Sequence, residues 1–211
     1  MIGSQSILGA FADLNRFPEP LLKSVEVDIL PSLAPDEESV ELVDAFLGEL
    51  SQFHQTHGVY ADGVDLTTAK LPEGWQERLV AYRSEGTDGI TALCLEQHDL
   101  AVSKLVAGRD SDYDFCRALL GSGIADPSVV RERLAATPDL DPPVRERVRA
   151  WIEGQQEATV SQEQQEALEH HRRHANDRSP EAPSAGEVPV REARTKEGSA
   201  RKAHRRRRPR T

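Results

Sequence analysis

The residues of this chain that could do chemistry fall into a short series. A Gly3-Ser4 turn opens it, Glu26 and Asp28 follow as an acid-x-acid pair, and Asp99, Lys104 and a run of acids after Arg109 complete it. Two carboxylates one residue apart on a strand project from the same face. At a strand end over a pocket, such a pair suits Mg²⁺ or Mn²⁺, because a hard cation takes carboxylate oxygens and keeps substrate phosphates as further ligands. Two such ions would clamp the attacking and leaving oxygens of a phosphoryl transfer. A small turn entering a helix offers backbone N–H groups to a phosphate. Each piece also has a plainer reading: an acid-x-acid pair serves as a solvated strand face, and a Gly-Ser turn serves as a turn.

The elements that must position these residues follow from periodicity. Met1-Ile2 is strand-like, and Ile7, Leu8, Phe11 and Leu14 have helical spacing. So short a strand before the Gly-Ser turn reads either as a frayed edge or as the remainder of a longer N-terminal segment. Ser24 to Leu30 alternates with period two, a strand that carries Glu26 and Asp28 and ends at Pro31. Asp36-Glu37-Glu38 opens a helix through Leu50, since acids in the first turn suit the helix dipole. Ser51 to His57 reads as a loop, and Val59-Tyr60 and Val64 as short strands around an Asp62-Gly63 turn. Strands are expected at Arg78–Tyr82 and Ile90–Leu95. Beyond Gln97 the pattern turns helical: Asp99 caps a helix through Ala107, Gly108 breaks it, and another runs from Asp110 to Leu120. Asp126-Pro127 and Asp141-Pro142-Pro143 start two more, with proline well placed in the first turn.

The fold class is therefore α+β, a small mixed sheet with flanking helices followed by a helical C-terminal part and a disordered basic tail. The expected organisation is an α/β core over 1–96, a helical part over 97–154, a polar helix or linker over 155–178 and a tail over 179–211. The tail is rich in Pro, Ala, Glu and Arg with almost no large apolar residue, a composition that cannot offset the entropy of ordering.

Charge divides the chain the same way. Residues 171–211 carry 13 Lys/Arg against 5 Asp/Glu, while residues 1–170 carry 13 against 31. An acidic body thus bears a basic tail, which could touch nucleic-acid phosphate, fold back on the body or remain solvated. No apolar run approaches a membrane span. The two cysteines, Cys94 and Cys116, build no disulfide framework and fit a reducing cytoplasm as small core residues. His54 and His57 lack further ligands at zinc spacing. Trp75 and Trp151 read as core, and the His170–His174 run as a solvated patch.

Read together, Gly-Ser, helix and acid-x-acid resemble the signature of the polymerase-beta-like nucleotidyltransferases. The segment DLAVSKLVAGR, Asp99 to Arg109, resembles its counterpart in bacterial nucleotidyltransferases of abortive-infection and toxin–antitoxin systems. GSQSILG (Gly3 to Gly9), Glu26 to Pro31, Ser51 to His54 and LPEGW (Leu71 to Trp75) follow the same branch in order, so the resemblance covers about residues 1–150. It implies a phosphate-binding turn at Gly3 and Ser4, a metal-binding acid pair at Glu26 and Asp28, and nucleotide phosphates at Lys104. It also implies roles for Asp99 and for an acid after the helix, either Asp112 or Asp114. The activity implied is transfer of a nucleotidyl group from a nucleoside triphosphate to an RNA or protein hydroxyl, with Mg²⁺ or Mn²⁺ as cofactor and a cognate toxin or antitoxin as partner.

Two departures stand against this pattern. Twenty-one residues separate Ser4 from Glu26, more than is usual in the superfamily, and the first acid is Glu rather than Asp. A third strand carboxylate is not singled out; Asp62, Asp65 and Glu96 are all candidates. The alternative function is a catalytically degenerate protein of the same fold that binds a partner.

Overall fold

The computed structural model describes residues 1–10 and 17–177. The expectations for Phe11 and Leu14, and for the basic tail over 179–211, lie outside the described residues. The architecture is α+β, as the periodicity predicts.

Strand β1, Glu26–Ile29, carries the acid pair. Helix α2, Glu37–Leu47, starts where Asp36 accepts a hydrogen bond from the Ser39 N–H at 2.7 Å. The segment read as a loop is instead a short helix, α3, Gln52–His57. The Ser51 hydroxyl accepts from the His54 N–H at 3.1 Å, and Gly58, at φ +71°, ends the helix in the left-handed region where glycine is favoured. That local capping outweighs the weak helical propensity of the segment.

Strand β2, Tyr60–Gly63, is a second correction. It runs straight through Asp62-Gly63, which the sequence suggests as a turn, because it pairs in parallel with β1 in the register Glu26↔Tyr60 and Asp28↔Asp62. A parallel pair needs a long crossover, and α2 with α3 supplies it. On the far side of β2, Asp44 of α2 accepts the Gly63 N–H at 2.5 Å, which satisfies a donor on the outer edge of the strand.

Strands β3, Val80–Tyr82, and β4, Ala92–Cys94, form an antiparallel pair. Met1 and Ile2 lie between the two pairs rather than at an edge. The Ile2 N–H donates to the Asp28 carbonyl at 3.1 Å, the Met1 amino group to the Leu93 carbonyl at 2.8 Å, and the Leu95 N–H to the Met1 carbonyl at 3.1 Å. A short 3-10 turn over Ser4–Ser6 leads from there into α1, Ile7–Ala10.

Four further helices follow: α4, Gln97–Ala107; α5, Asp110–Gly121; α6, Pro127–Ala135; and α7, Pro142–Asp177. Glu96, not Asp99, caps α4, its carboxylate accepting from the His98 and Asp99 N–H groups. Asp126 caps α6 by accepting from the Ser128 N–H, with Pro127 at the first helical position as predicted.

The apolar core lies among these helices. Leu100 and Leu105 of α4, Phe115 and Leu119 of α5, Val130 and Leu134 of α6, and Val148 and Ile152 of α7 form one cluster with Ile7, Leu21 and Leu95. Cys116 belongs to it and Cys94 is also fully buried; Trp75 and Trp151 pack against its rim. Burial pushes both thiols up, Cys116 strongly. Residues Met1–Glu169 make up one compact unit. No described helix is long and apolar enough to cross a membrane.

Candidate active site

The turn at Gly3 meets the acid pair directly. A Cβ on Gly3 would overlap the Asp28 carboxylate, so only glycine lets the chain pass this close. The Ser6 N–H and hydroxyl both donate to the Gly3 carbonyl, which holds the turn closed on itself. From Gly3 the chain passes into Ser4, which lines a cleft of about 740 Å³ together with Glu26 of β1 and Lys104 of α4. Three of the five residues expected to converge, Ser4, Glu26 and Lys104, thus line one cleft, and the other two, Gly3 and Asp28, stand against each other beside them in sequence.

Glu26 is held in an acidic neighbourhood. Burial, then Asp28 and Asp62, push its carboxyl above the usual range, while the Tyr60 hydroxyl and the Lys104 charge pull the other way. Tyr60 donates to Glu26 Oε2 at 3.3 Å. Burial and the acids Glu26, Glu49 and Asp62 push the Tyr60 phenol up, so it stays protonated and remains a donor. The carboxyl of Asp62 is also raised, first by burial and then by Asp44, Asp28 and Glu49. Three carboxylates therefore share one face of β1 and β2, since residues in register point the same way.

That register selects among the candidate third acids. Asp62 stands opposite Asp28, whereas Asp65 turns back on Thr67 and Glu96 caps α4. Sequence alone missed this because a parallel register is not written in either strand. Among the described residues, no three of His, Cys, Asp and Glu are grouped as ligands of one metal ion. The donor set is thus a carboxylate pair with a third acid beside it, and the Asp28 charge helps raise both Glu26 and Asp62. This suits Mg²⁺ or Mn²⁺ delivered with substrate phosphates, since Mg²⁺ is commonly held by one or two carboxylates plus phosphate oxygens.

Four cations, Lys23, Lys104, Arg109 and Arg117, also line the cleft, together with Asp112 and Asp114. Lys104 pairs with Asp112 at 3.4 Å and lies 6.0 Å from the centre of the Phe115 ring. Asp112 is nearly buried and also accepts the Arg109 N–H at 3.1 Å, so its carboxylate both starts α5 and steadies Lys104. Asp114 is exposed and pairs with Arg117 at 2.7 Å. Of the two acids left open, Asp112 is the one coupled to the lysine.

Asp99 is not brought to the cleft. It is fully buried, receives Arg78 Nε and Nη2 at 2.8 and 3.1 Å, and lies 3.5 Å from Arg133 Nε. Arg78 belongs to the 3-10 turn Trp75–Arg78 and Arg133 to α6, so Asp99 ties α4 to both. Its partners lie 21 residues upstream (Arg78) and 34 downstream (Arg133) in sequence, which is why spacing alone grouped it with Lys104. The His54 Nδ1 accepts the Leu50 N–H at 3.0 Å, and its ring lies obliquely near Tyr60.

An α+β fold with a Gly-Ser turn against a strand carboxylate, beside a cleft lined by Glu26 and by lysine and arginine, fits a nucleotidyltransferase. Residues 1–151 match the family described as nucleotidyltransferase of unknown function (DUF6036), and the chain belongs to that family. Its general role is that of a nucleotidyltransferase, and nucleotide is its substrate class. No curated protein and no solved structure matches the chain.

Proposed function

We propose that this chain transfers a nucleotidyl group from a nucleoside triphosphate to an RNA or protein hydroxyl, with a divalent metal and in a toxin–antitoxin-like setting. Two observations carry the reading: Gly3 is in contact with Asp28, and Ser4, Glu26 and Lys104 line one cleft. Glu26 and Asp28, with Asp62 alongside, would hold Mg²⁺ or Mn²⁺. Bound there, the ion neutralises phosphate charge and polarises the reacting phosphoryl group. Lys104 meets the phosphates as a point charge, held in place by Asp112. Arg109, Arg117 and Lys23 extend the cationic wall along the polyphosphate. Asp62, opposite Asp28 on β2, would take the proton of the acceptor hydroxyl as that oxygen bonds to the α-phosphorus and pyrophosphate leaves.

A second reading has its own observation. Because no three ligands are grouped among the described residues, the same cleft could bind nucleotide without transferring it, as a partner-binding module. One experiment separates the two. The full chain is incubated with each α-labelled nucleoside triphosphate, Mg²⁺ or Mn²⁺, and total RNA and protein, beside Glu26→Ala/Asp28→Ala. Label transfer that disappears in the variant supports the enzyme. Tight nucleotide binding without transfer from any of the nucleotides establishes the binding module instead, and neither binding nor transfer overturns both.

A further inference from the structure

The region from residue 24 to residue 69 differs from the rest of the chain. It contains ten Asp and Glu and no Lys or Arg. It also contributes no residue to the main apolar cluster. Eight of the thirteen exposed large apolar side chains among the described residues fall within it. A surface helix ordinarily buries one apolar stripe, yet α2 buries none of its residues. The side of α2 that meets β2 is marked by the Asp44 bond to Gly63 and by the Val40 carbonyl packed against that glycine. On α2, Leu42 and Phe46 are one turn apart and stay 50% and 69% exposed.

Leu50, three residues past the end of α2, is a further exposed apolar side chain. It is 77% exposed and sits at φ +68°, a conformation that a leucine adopts only against steric resistance. Its backbone is held there by His54, whose Nδ1 accepts the Leu50 N–H, and by Gln55, whose side chain donates to the Leu50 carbonyl. The chain thus fixes a leucine in a disfavoured backbone state without burying its side chain. Strain of this kind is commonly stored where it serves a contact.

We propose that the outer face of α2 and its exit turn, anchored by Leu42, Phe46 and Leu50, docks a basic amphipathic segment of another protein. Charge selects the occupant. Glu37, Glu38, Glu41 and Glu49 are exposed around the apolar anchors, so the rim attracts Lys and Arg. The same rim repels nucleic-acid phosphate and anionic lipid. A second copy of this chain would bring the same acids against them, and like charges set opposite one another disfavour that pairing. The apolar anchors in turn demand side chains with helical spacing, which a purely cationic segment does not supply. This surface is separate from the cleft and does not depend on the transferase reading.

The test uses the full chain and a fluorescein-labelled peptide with Leu at helical spacing and Lys elsewhere. Two control peptides replace every Leu by Ser or every Lys by Glu. The Leu/Lys peptide is expected to bind, with fluorescence anisotropy reporting an affinity that falls as salt is raised. Phe46→Ser/Leu50→Ser should weaken it about tenfold or more, as loss of central anchors does. Leu42→Gln should weaken it in the same direction, and Glu38→Lys/Glu41→Lys should also reduce binding. All these side chains are exposed, so melting by circular dichroism should be unchanged. Absence of binding, equal binding of the Ser/Lys peptide, or full affinity in both apolar variants would overturn the proposal. So would a wild-type dimer in sedimentation velocity that Phe46→Ser/Leu50→Ser converts to monomer, which would make a second copy the occupant.

Discussion

Gly3 stands against the Asp28 carboxylate so closely that a methyl group on Gly3 would occupy the position of Asp28 Oδ2. Gly3→Ala should therefore displace either the turn or the carboxylate, costing about 1–3 kcal/mol of stability, as overpacking does. Transfer activity should fall as far as in Asp28→Ala. The decisive measurement is a double-mutant cycle. In the Asp28→Ala background the clashing oxygen is gone, so Gly3→Ala should cost much less there than in the wild type. Additive effects would mean that the two residues act independently.

Asp112 and Asp114 should behave differently. Asp112→Asn removes the charge facing Lys104 and should weaken nucleotide affinity by roughly tenfold, with a modest loss of stability from the disturbed start of α5. Asp114→Asn breaks an exposed pair with Arg117, of the kind worth about 0–1 kcal/mol, and should leave stability unchanged without weakening nucleotide affinity. Isothermal titration with a non-hydrolysable triphosphate and Mg²⁺ reads the difference.

Asp99 should prove structural. Arg78→Met leaves a buried carboxylate facing only Arg133 at 3.5 Å, and breaking such a pair typically costs about 3–5 kcal/mol. The urea midpoint should drop accordingly, while nucleotide affinity measured well below the transition stays at the wild-type value. A large change in affinity at full folding would return Asp99 to the site.

Glu96 links stability to acid pH. Burial raises its carboxyl, but the hydrogen bond from His98 and those from the His98 and Asp99 N–H groups outweigh it and hold the group below its ordinary value of 4.5. The folded state then binds fewer protons than the unfolded one. Its contribution is present above that ordinary value and is lost as pH falls through the lower folded value. Urea unfolding of wild type and Glu96→Gln should diverge above pH 4.5 and converge below it, because the other carboxylates cancel in the difference. His98 fits this role geometrically: Nδ1 lies 2.5 Å from Glu96 Oε1, and Nε2 accepts the Asp126 N–H at 2.9 Å.

Metal alone should do little. With no group of three ligands among the described residues, Mg²⁺ should shift the melting temperature weakly by itself and clearly once a triphosphate is present. Asp28→Ala should remove the added shift. A large shift with Mg²⁺ alone, lost in the same variant, would show a protein site that needs no phosphate.

Local chemistry made part of this protein legible in its residues. The alternation of Ser24 to Leu30 placed Glu26 and Asp28 on one strand face, and Asp36 and Asp126-Pro127 marked two helix starts, because period and capping act over a few residues. Glycine and serine at positions 3 and 4 identified the turn. What only the tertiary structure decided depends on pairs far apart in the chain. Asp62 came to stand opposite Asp28 through the parallel register of β2 on β1, which reversed the expected Asp62-Gly63 turn. Asp99 left the site because Arg78 and Arg133 arrive from other elements, and Asp112 rather than Asp114 reached Lys104 by the angle between α4 and α5. Met1 and Ile2 found backbone partners on both sides, Asp28 on one and Leu93 and Leu95 on the other. Propensity and spacing act along the chain, whereas register, ion pairing and packing act across it, and the candidate site is built mainly from the second kind.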